Sequence, residues 1–193
     1  MNDATDAELL ERIRAGDGAA FDQIVDRYER RVFAIAVRIC RHHEDARDVT
    51  QDVFVTALRS LGSFRGDAQL STWLHRVTVN ASLDLVRRRQ RREGPDLEEI
   101  GERPASEPGP EVAAIESVRA REVHRALGRI PPDQRAVIAL HDLQGLDYSE
   151  VADALEVPVG TVKSRLHRAR LALARELAHL KETEQSGDAE PLR

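Results

Sequence analysis

The sequence predicts an all-α fold, two small helical domains joined by a flexible acidic linker, and three observations carry that prediction. Apolar residues recur every three or four positions through most of the chain, the spacing that lines one face of a helix. Aromatic residues make up only 4% of the 193 residues, and β-branched runs bounded by turn residues, which would mark strands, are scarce. Residues 93–117 hold four of the eight prolines, many acids and little apolar content, the composition of an extended tether.

Each element follows from its own local pattern. Residues 1–17 read as a polar arm with one helix around Ala7–Arg14. Phe21, Ile24, Val25, Tyr28, Val32, Ile35 and Ile39 then share one face of a long helix. A second helix, from about Glu44 to Leu61, is expected to bury Val49, Val53, Phe54, Ala57, Leu58 and Leu61. It shows Asp45, Asp48, Gln51 and Asp52 on its other side, and Gly62 is placed to stop it. A loop with Gly62 and Gly66 follows. Ser71 or Thr72 can cap the next helix, which passes Trp73, Leu74, Val77, Ala81 and Leu85 into a run of arginines. These elements make a first domain, 18–92. The second domain, 118–182, contains a helix opened by Pro131-Pro132 and closed by Gly145. A short helix from about Ser149 to Leu155, a tight turn and a longer helix from about Gly160 to Leu180 complete it. Residues 183–193 read as a polar, disordered tail.

The formal net charge is -5, but the charges are sorted along the chain. Five of the six residues from Arg87 to Arg92 are arginine. From Lys163 to Arg175 there are five cations and no acid, whereas from Glu93 to Glu116 eight acids face the single Arg103. Two basic patches joined by an acidic strap suit nucleic acid better than the net charge suggests. Other classes are disfavoured. The lone Cys40 excludes an internal disulfide and a cysteine-rich zinc site, and with His42 and His43 it lacks a fourth ligand, so no metal or cofactor is expected. No nucleophile–base pair or glycine-rich phosphate loop is visible, so the chain reads as non-enzymatic, with no small-molecule substrate. No apolar stretch reaches the ~20 residues that span a bilayer. The first residues lack the basic leader and apolar core of a signal peptide, so a cytoplasmic protein without membrane insertion is expected.

The last two helices carry the plainest chemistry. A short helix, a turn of about four residues and a second helix form a helix-turn-helix, with Ala152 at the close crossing and Val151, Leu155, Val157, Val162 and Leu166 as shared core. The second helix begins at Gly160 and presents Thr161, Lys163, Ser164, Arg165, His167, Arg168 and Arg170. Donors near a helix N-terminus for base edges, flanked by cations for phosphates, are what a recognition helix in the major groove requires. A solvated basic face is the plainer alternative, but runs of cations without acids are uncommon on such faces.

The segment Asp147–Arg170 (DYSEVADALEVPVGTVKSRLHRAR) resembles the DNA-reading segment of bacterial sigma factors, notably in GTVKSR and the trailing RAR. DARDVTQDVFVTAL (Asp45–Leu58) resembles the helix with which that family grips the polymerase clamp. STWLHRVTVN (Ser71–Asn80), continuing through Asp84 into the arginines, resembles the promoter-melting helix of the extracytoplasmic-function group. The three motifs stand in the family's order over about residues 18–180. The resemblance implies that the first domain binds the clamp of the β′ subunit of core RNA polymerase and opens the −10 element, and that the second reads the −35 element. Asp48, Gln51 and Asp52 would face the polymerase. Ser63, Phe64, Arg65, Trp73, Arg76, Asn80, Arg87 and Arg88 would capture the −10 strand, Asn80 reading a base and the arginines holding phosphates. Phe54 is either an anchor on the polymerase or core, and its apolar stripe favours core. Trp73 is either a wedge at the fork or core. The linker is either a mimic of nucleic-acid charge or a plain tether. The family also implies an anti-sigma partner. Where the family's turn commonly carries glycine, this chain has Glu156, which a left-handed backbone would strain by about 1 kcal/mol. The rival readings are a stand-alone helix-turn-helix regulator with a sensing N-terminal bundle and a helical adaptor that binds only protein.

Overall fold

A computed structural model of the chain describes residues 4–64, 69–93, 123 and 125–187, and no strand occurs among them. The acidic linker and the loop residues around Gly66 lie outside the described residues.

Helix α1 (Asp6–Arg14) opens with a capping box: Thr5 Oγ1 accepts from the Glu8 amide at 3.3 Å, and the Thr5 amide donates to Glu8 Oε2 at 2.7 Å. These bonds hold the Glu8 carboxyl below its ordinary range. Leu9 and Leu10 are buried, and Asp6 accepts from both Arg27 and the Tyr28 hydroxyl. The helix expected around Ala7–Arg14 is therefore present, and its two adjacent leucines give it an apolar edge by which it docks.

Helix α2 (Gly18–Cys40) is capped by Asp17 and buries Ile24, Tyr28, Val32, Ile35 and Ile39, with Phe21 and Val25 half-buried beside them. It ends at Arg41, whose φ of 69° is left-handed. Helix α3 (His43–Ser60) passes into a 3₁₀ turn at Leu61–Ser63, so Gly62 sits within that turn. Val49, Val53, Phe54, Ala57 and Leu61 are buried as expected, which settles Phe54 as core. Leu58 corrects the expected stripe: it is 60% exposed, because α2 and α4 cover only one side of α3 and leave that flank open. Helix α4 (Leu70–Glu93) begins ahead of both Ser71 and Thr72, so neither caps it. Its buried hydroxyls are satisfied along the helix, Thr78 donating to the Leu74 carbonyl at 2.7 Å and Ser82 to that of Thr78 at 2.8 Å.

After a helical stretch at 125–128, α5 (Pro132–Ile138) runs into a π-helical turn at Ala139–Leu143, and Gly145 takes the left-handed conformation (φ +73°) that ends it. Helices α6 (Tyr148–Leu155) and α7 (Val159–Gly187) follow. The last helix continues through 183–187, which the sequence reading gave to the tail; Lys181, Glu182, Glu184 and Gln185 are good helix formers and sustain it. Residues 188–193 lie outside the described residues.

The two halves are not separate beads. A cluster built from Leu127, Ile130, Val137, Ile138, Leu140, Val151, Val162 and Leu166 also contains Ile35 and Ile39 of α2 and Val79 of α4, with Leu83 packed against it. Two polar groups are caught at this seam. His75 is 6% exposed with neither ring nitrogen hydrogen-bonded, and burial pushes its pKa down to about 4. Arg31 adds to that shift and Glu150 opposes it. Arg135 is 5% exposed, its Nε and Nη1 have no hydrogen-bond partner, and burial, with Arg41 nearby, pushes it down to about 10.

Candidate nucleic-acid interface

Helices α6 and α7 form the helix-turn-helix. Asp147 caps α6, accepting from the Ser149 and Glu150 amides at 2.7 and 2.8 Å while its own amide donates to Glu150 Oε2 at 2.8 Å. Glu156 ends α6 at φ 54°, ψ 44°, so the strained left-handed turn is real. The Pro158 carbonyl then accepts from Thr161 and Val162 at 2.8 and 3.2 Å and starts α7. Val162, Leu166 and Ala169 form its underside; Lys163, Ser164, His167 and Arg168 face outward, and Thr161 and Arg165 are half-buried on the flank.

Several of these cations have unforeseen intramolecular partners. Lys163 Nζ lies 5.5 Å from the centre of the Tyr148 ring, which stacks on His141 at 4.7 Å. Arg165 Nε is 3.9 Å from Asp133. Arg170 donates through Nε (3.2 Å) and Nη2 to Asp142, which raises its pKa further. Asp142 reaches Arg170 from the π turn, a backbone feature with no residue signature. Asp142→Asn is therefore expected to release Arg170 and steepen the salt dependence of duplex binding by about one unit of log–log slope. A titration of affinity against salt checks this.

The expected −10 residues, on α4 and just ahead of it, differ in their surroundings. Asn80, Arg87 and Arg88 are exposed; Arg87 lies 3.5 Å from Asp84 Oδ1, and Arg88 Nε donates to the Asp84 carbonyl at 3.3 Å. Phe64 and Trp73 meet edge-on at 5.8 Å, partly buried against the first core, and the Phe64 carbonyl accepts from Arg14 of α1. Arg76 turns to the other half, its Nη1 3.2 Å from Glu156 Oε1. Ser63 ends the 3₁₀ turn, and Arg65 lies outside the described residues. Arg89, in the arginine run, is bonded to Asp45 and so ties α4 to α3.

On α3, Asp48, Gln51 and Asp52 are all exposed. Val55 and Leu58 are exposed in the same stripe, at the i+7 and i+10 positions from Asp48. Sequence reasoning missed this apolar half of the face because Leu58 lies next to buried Ala57. Elsewhere, Cys40 is buried, which pushes its thiol up to about 11. Among the described residues no group of three metal-ligating side chains comes together, and no helix is long and apolar enough to cross a membrane.

These features define a helical protein with a helix-turn-helix and a second cationic helix. Residues 24–92 match the family model for Sigma-70 region 2, and residues 120–173 that for Sigma-70, region 4. The ECF RNA polymerase sigma factor SigM of Mycobacterium tuberculosis is 43% identical over 179 residues, covering 93% of this chain and 88% of the relative. The ECF RNA polymerase sigma-E factor of Escherichia coli K12 is 37% identical over 177 residues, covering 88% and 92%. Among solved structures, CnrH in complex with the cytosolic domain of CnrY is similar at a TM-score of 0.67 and 27% identity, covering 89% of this chain and 96% of that one. The sigma factor RpoE in complex with the anti-sigma factor NepR from Bartonella quintana gives 0.68 and 27%, covering 82% and 96%. The chain belongs to the extracytoplasmic-function sigma factors, and like them it is a non-enzymatic factor that directs transcription initiation at promoters.

Proposed function

We propose that residues 18–92 bind the clamp of core RNA polymerase and open the −10 element, while residues 118–182 read the −35 element as duplex. The observation that carries this reading is the outward face of α7, where Lys163, Ser164, His167 and Arg168 form an exposed polar and cationic strip over an apolar underside. Arg165 at its flank reaches a base edge after exchanging Asp133, and Thr161 and Arg170 contact the backbone. On α4, Asn80 reads an extruded base, and Arg76, Arg87 and Arg88 hold phosphates. Ser63, Phe64, Arg65 and Trp73 wall the base pocket. Unstacking a base costs a few kcal/mol, which the pocket and the phosphate contacts offset without ATP.

The acidic stripe of Asp48, Gln51 and Asp52 suits a basic surface on the polymerase, and exposed Val55 and Leu58 give that contact an apolar centre. A regulatory partner follows from the relatives: one structural neighbour is a sigma factor bound to an anti-sigma factor. The protein then works in the cytoplasm with polymerase, promoter DNA and an anti-sigma factor.

Run-off transcription with core polymerase over a promoter library tests the reading. Arg165→Ala is expected to weaken the −35 contact by ~1–3 kcal/mol at one or two base pairs. Asn80→Ala is expected to spare duplex binding and impair opening, seen as lost permanganate reactivity at the −10 element. Normal transcription by both variants would overturn the site assignments.

A further inference from the structure

Phe64 is the residue at which the chain leaves α3 and its 3₁₀ turn, and three different elements hold it. Its amide donates to the Leu61 carbonyl at 3.2 Å, and its ring meets Trp73 of α4 edge-on at 5.8 Å. Its carbonyl accepts from the Arg14 guanidinium, which arrives from α1, 50 residues earlier in the chain. The turn and the core account for the first two contacts. Neither requires the third: water satisfies a carbonyl at the surface, and a long side chain loses rotamer freedom when it is held.

Arg14 stands on a fixed base. Near the start of α1, Asp6 accepts from Arg27 and from the Tyr28 hydroxyl of α2, and Leu9 is fully buried. At the end of α1, Arg12 Nε donates to Asp17 at 2.8 Å, and Asp17 in turn caps α2. The Glu11 carboxylate accepts from Arg14 Nη1, which leaves Nη2 for the Phe64 carbonyl. Holding two acceptors at once uses the rigid fork of a guanidinium, which a lysine lacks. An exposed contact of this kind adds little to folding stability. What it supplies is a fixed place for one backbone oxygen.

We propose that Arg14 is a positioning residue for −10 recognition: through the Phe64 carbonyl it fixes one side of the base pocket and sets how strictly the extruded base is read. The proposal rests on the −10 reading of Phe64, but the placing of Phe64 can be followed without polymerase or DNA. Trp73 is the single tryptophan of the chain and packs against the Phe64 ring, so its fluorescence reports movement there.

The test compares the full chain with Arg14→Ala, Arg14→Lys and Phe64→Ala. In the free protein, Arg14→Ala is expected to raise acrylamide quenching of Trp73 about 1.5-fold, with the melting temperature within about 2 °C of the parent. With core polymerase, permanganate reactivity is followed on a promoter and on its single-base −10 substitutions. Arg14→Ala is expected to lower the discrimination between preferred and substituted bases about three- to tenfold. Arg14→Lys keeps one donor and should stay within about twofold of the parent. A structural role alone would remove active protein, depress every promoter alike and leave those ratios unchanged. That result would overturn the proposal, as would unaltered quenching in Arg14→Ala. Phe64→Ala removes the ring and keeps the carbonyl that Arg14 holds. Lost discrimination in Phe64→Ala with none lost in Arg14→Ala would overturn the proposal and spare the pocket reading. The reverse pattern would support the backbone placement and sink the reading of the ring.

Discussion

Lowering the pH from 7.5 to 5 is expected to destabilise the folded chain by about 2 kcal/mol, rising to about 3 kcal/mol near pH 4. The cause is His75, buried at the seam with a pKa of about 4 against an ordinary 6.5. Because the buried form resists protonation, its contribution to stability is complete above pH 6.5 and declines as the pH falls through the interval down to 4. The charges that bear on it are Arg31 of α2, which opposes a second cation, and Glu150 of α6, which favours one. Their opposition leaves desolvation as the dominant cause. His75→Leu removes the titrating group and should flatten the profile between pH 6.5 and 5, a window in which few exposed carboxylates titrate. Thermal melts of both proteins across that window decide the matter: parallel losses would mean that His75 is not the group responsible.

Arg135→Met is expected to stabilise the closed molecule by about 1–3 kcal/mol, a rise of several degrees in melting temperature for a chain of this size. A guanidinium with two unpartnered nitrogens in an apolar seam costs more than it returns, and Met keeps much of its volume. Cys40 is close enough to feel the charge, but its thiol is held protonated by burial and offers no counter-ion. A melting temperature that falls would show that Arg135 is satisfied in solution and that the seam is less strained than the geometry implies.

Much of this molecule was legible in the chain. The α2 stripe from Phe21 to Ile39 repeats at helical spacing over about five turns, and no other arrangement hides those residues together. The helix-turn-helix was equally plain, because Ala152 at the close crossing and the apolar set Val151, Leu155, Val157, Val162 and Leu166 flank a turn of about four residues. The illegible parts have physical causes. Leu58 has the composition of core and lies beside Ala57, yet exposure depends on which neighbour covers that flank. The seam joins Ile35, Ile39, Val79 and Leu83 to helices more than forty residues away, and periodicity cannot say which partner an apolar face takes. The π turn that aims Asp142 at Arg170 is a backbone adjustment with no residue pattern of its own. The conformation of Glu156 was a conditional expectation, and its partner Arg76 could not be read without the fold.

The docking of α1 has a practical consequence for anyone trimming the chain. Cutting before Gly18 looks harmless on paper, since the discarded piece is short and rich in charge. It would strip Leu9 and Leu10 from the bundle, leave the Tyr28 hydroxyl without Asp6, and free the Phe64 carbonyl from Arg14. On the proposed assignment of Phe64 to the −10 pocket, promoter opening would then suffer through a slackened wall, even though none of the residues proposed to touch nucleic acid had been removed.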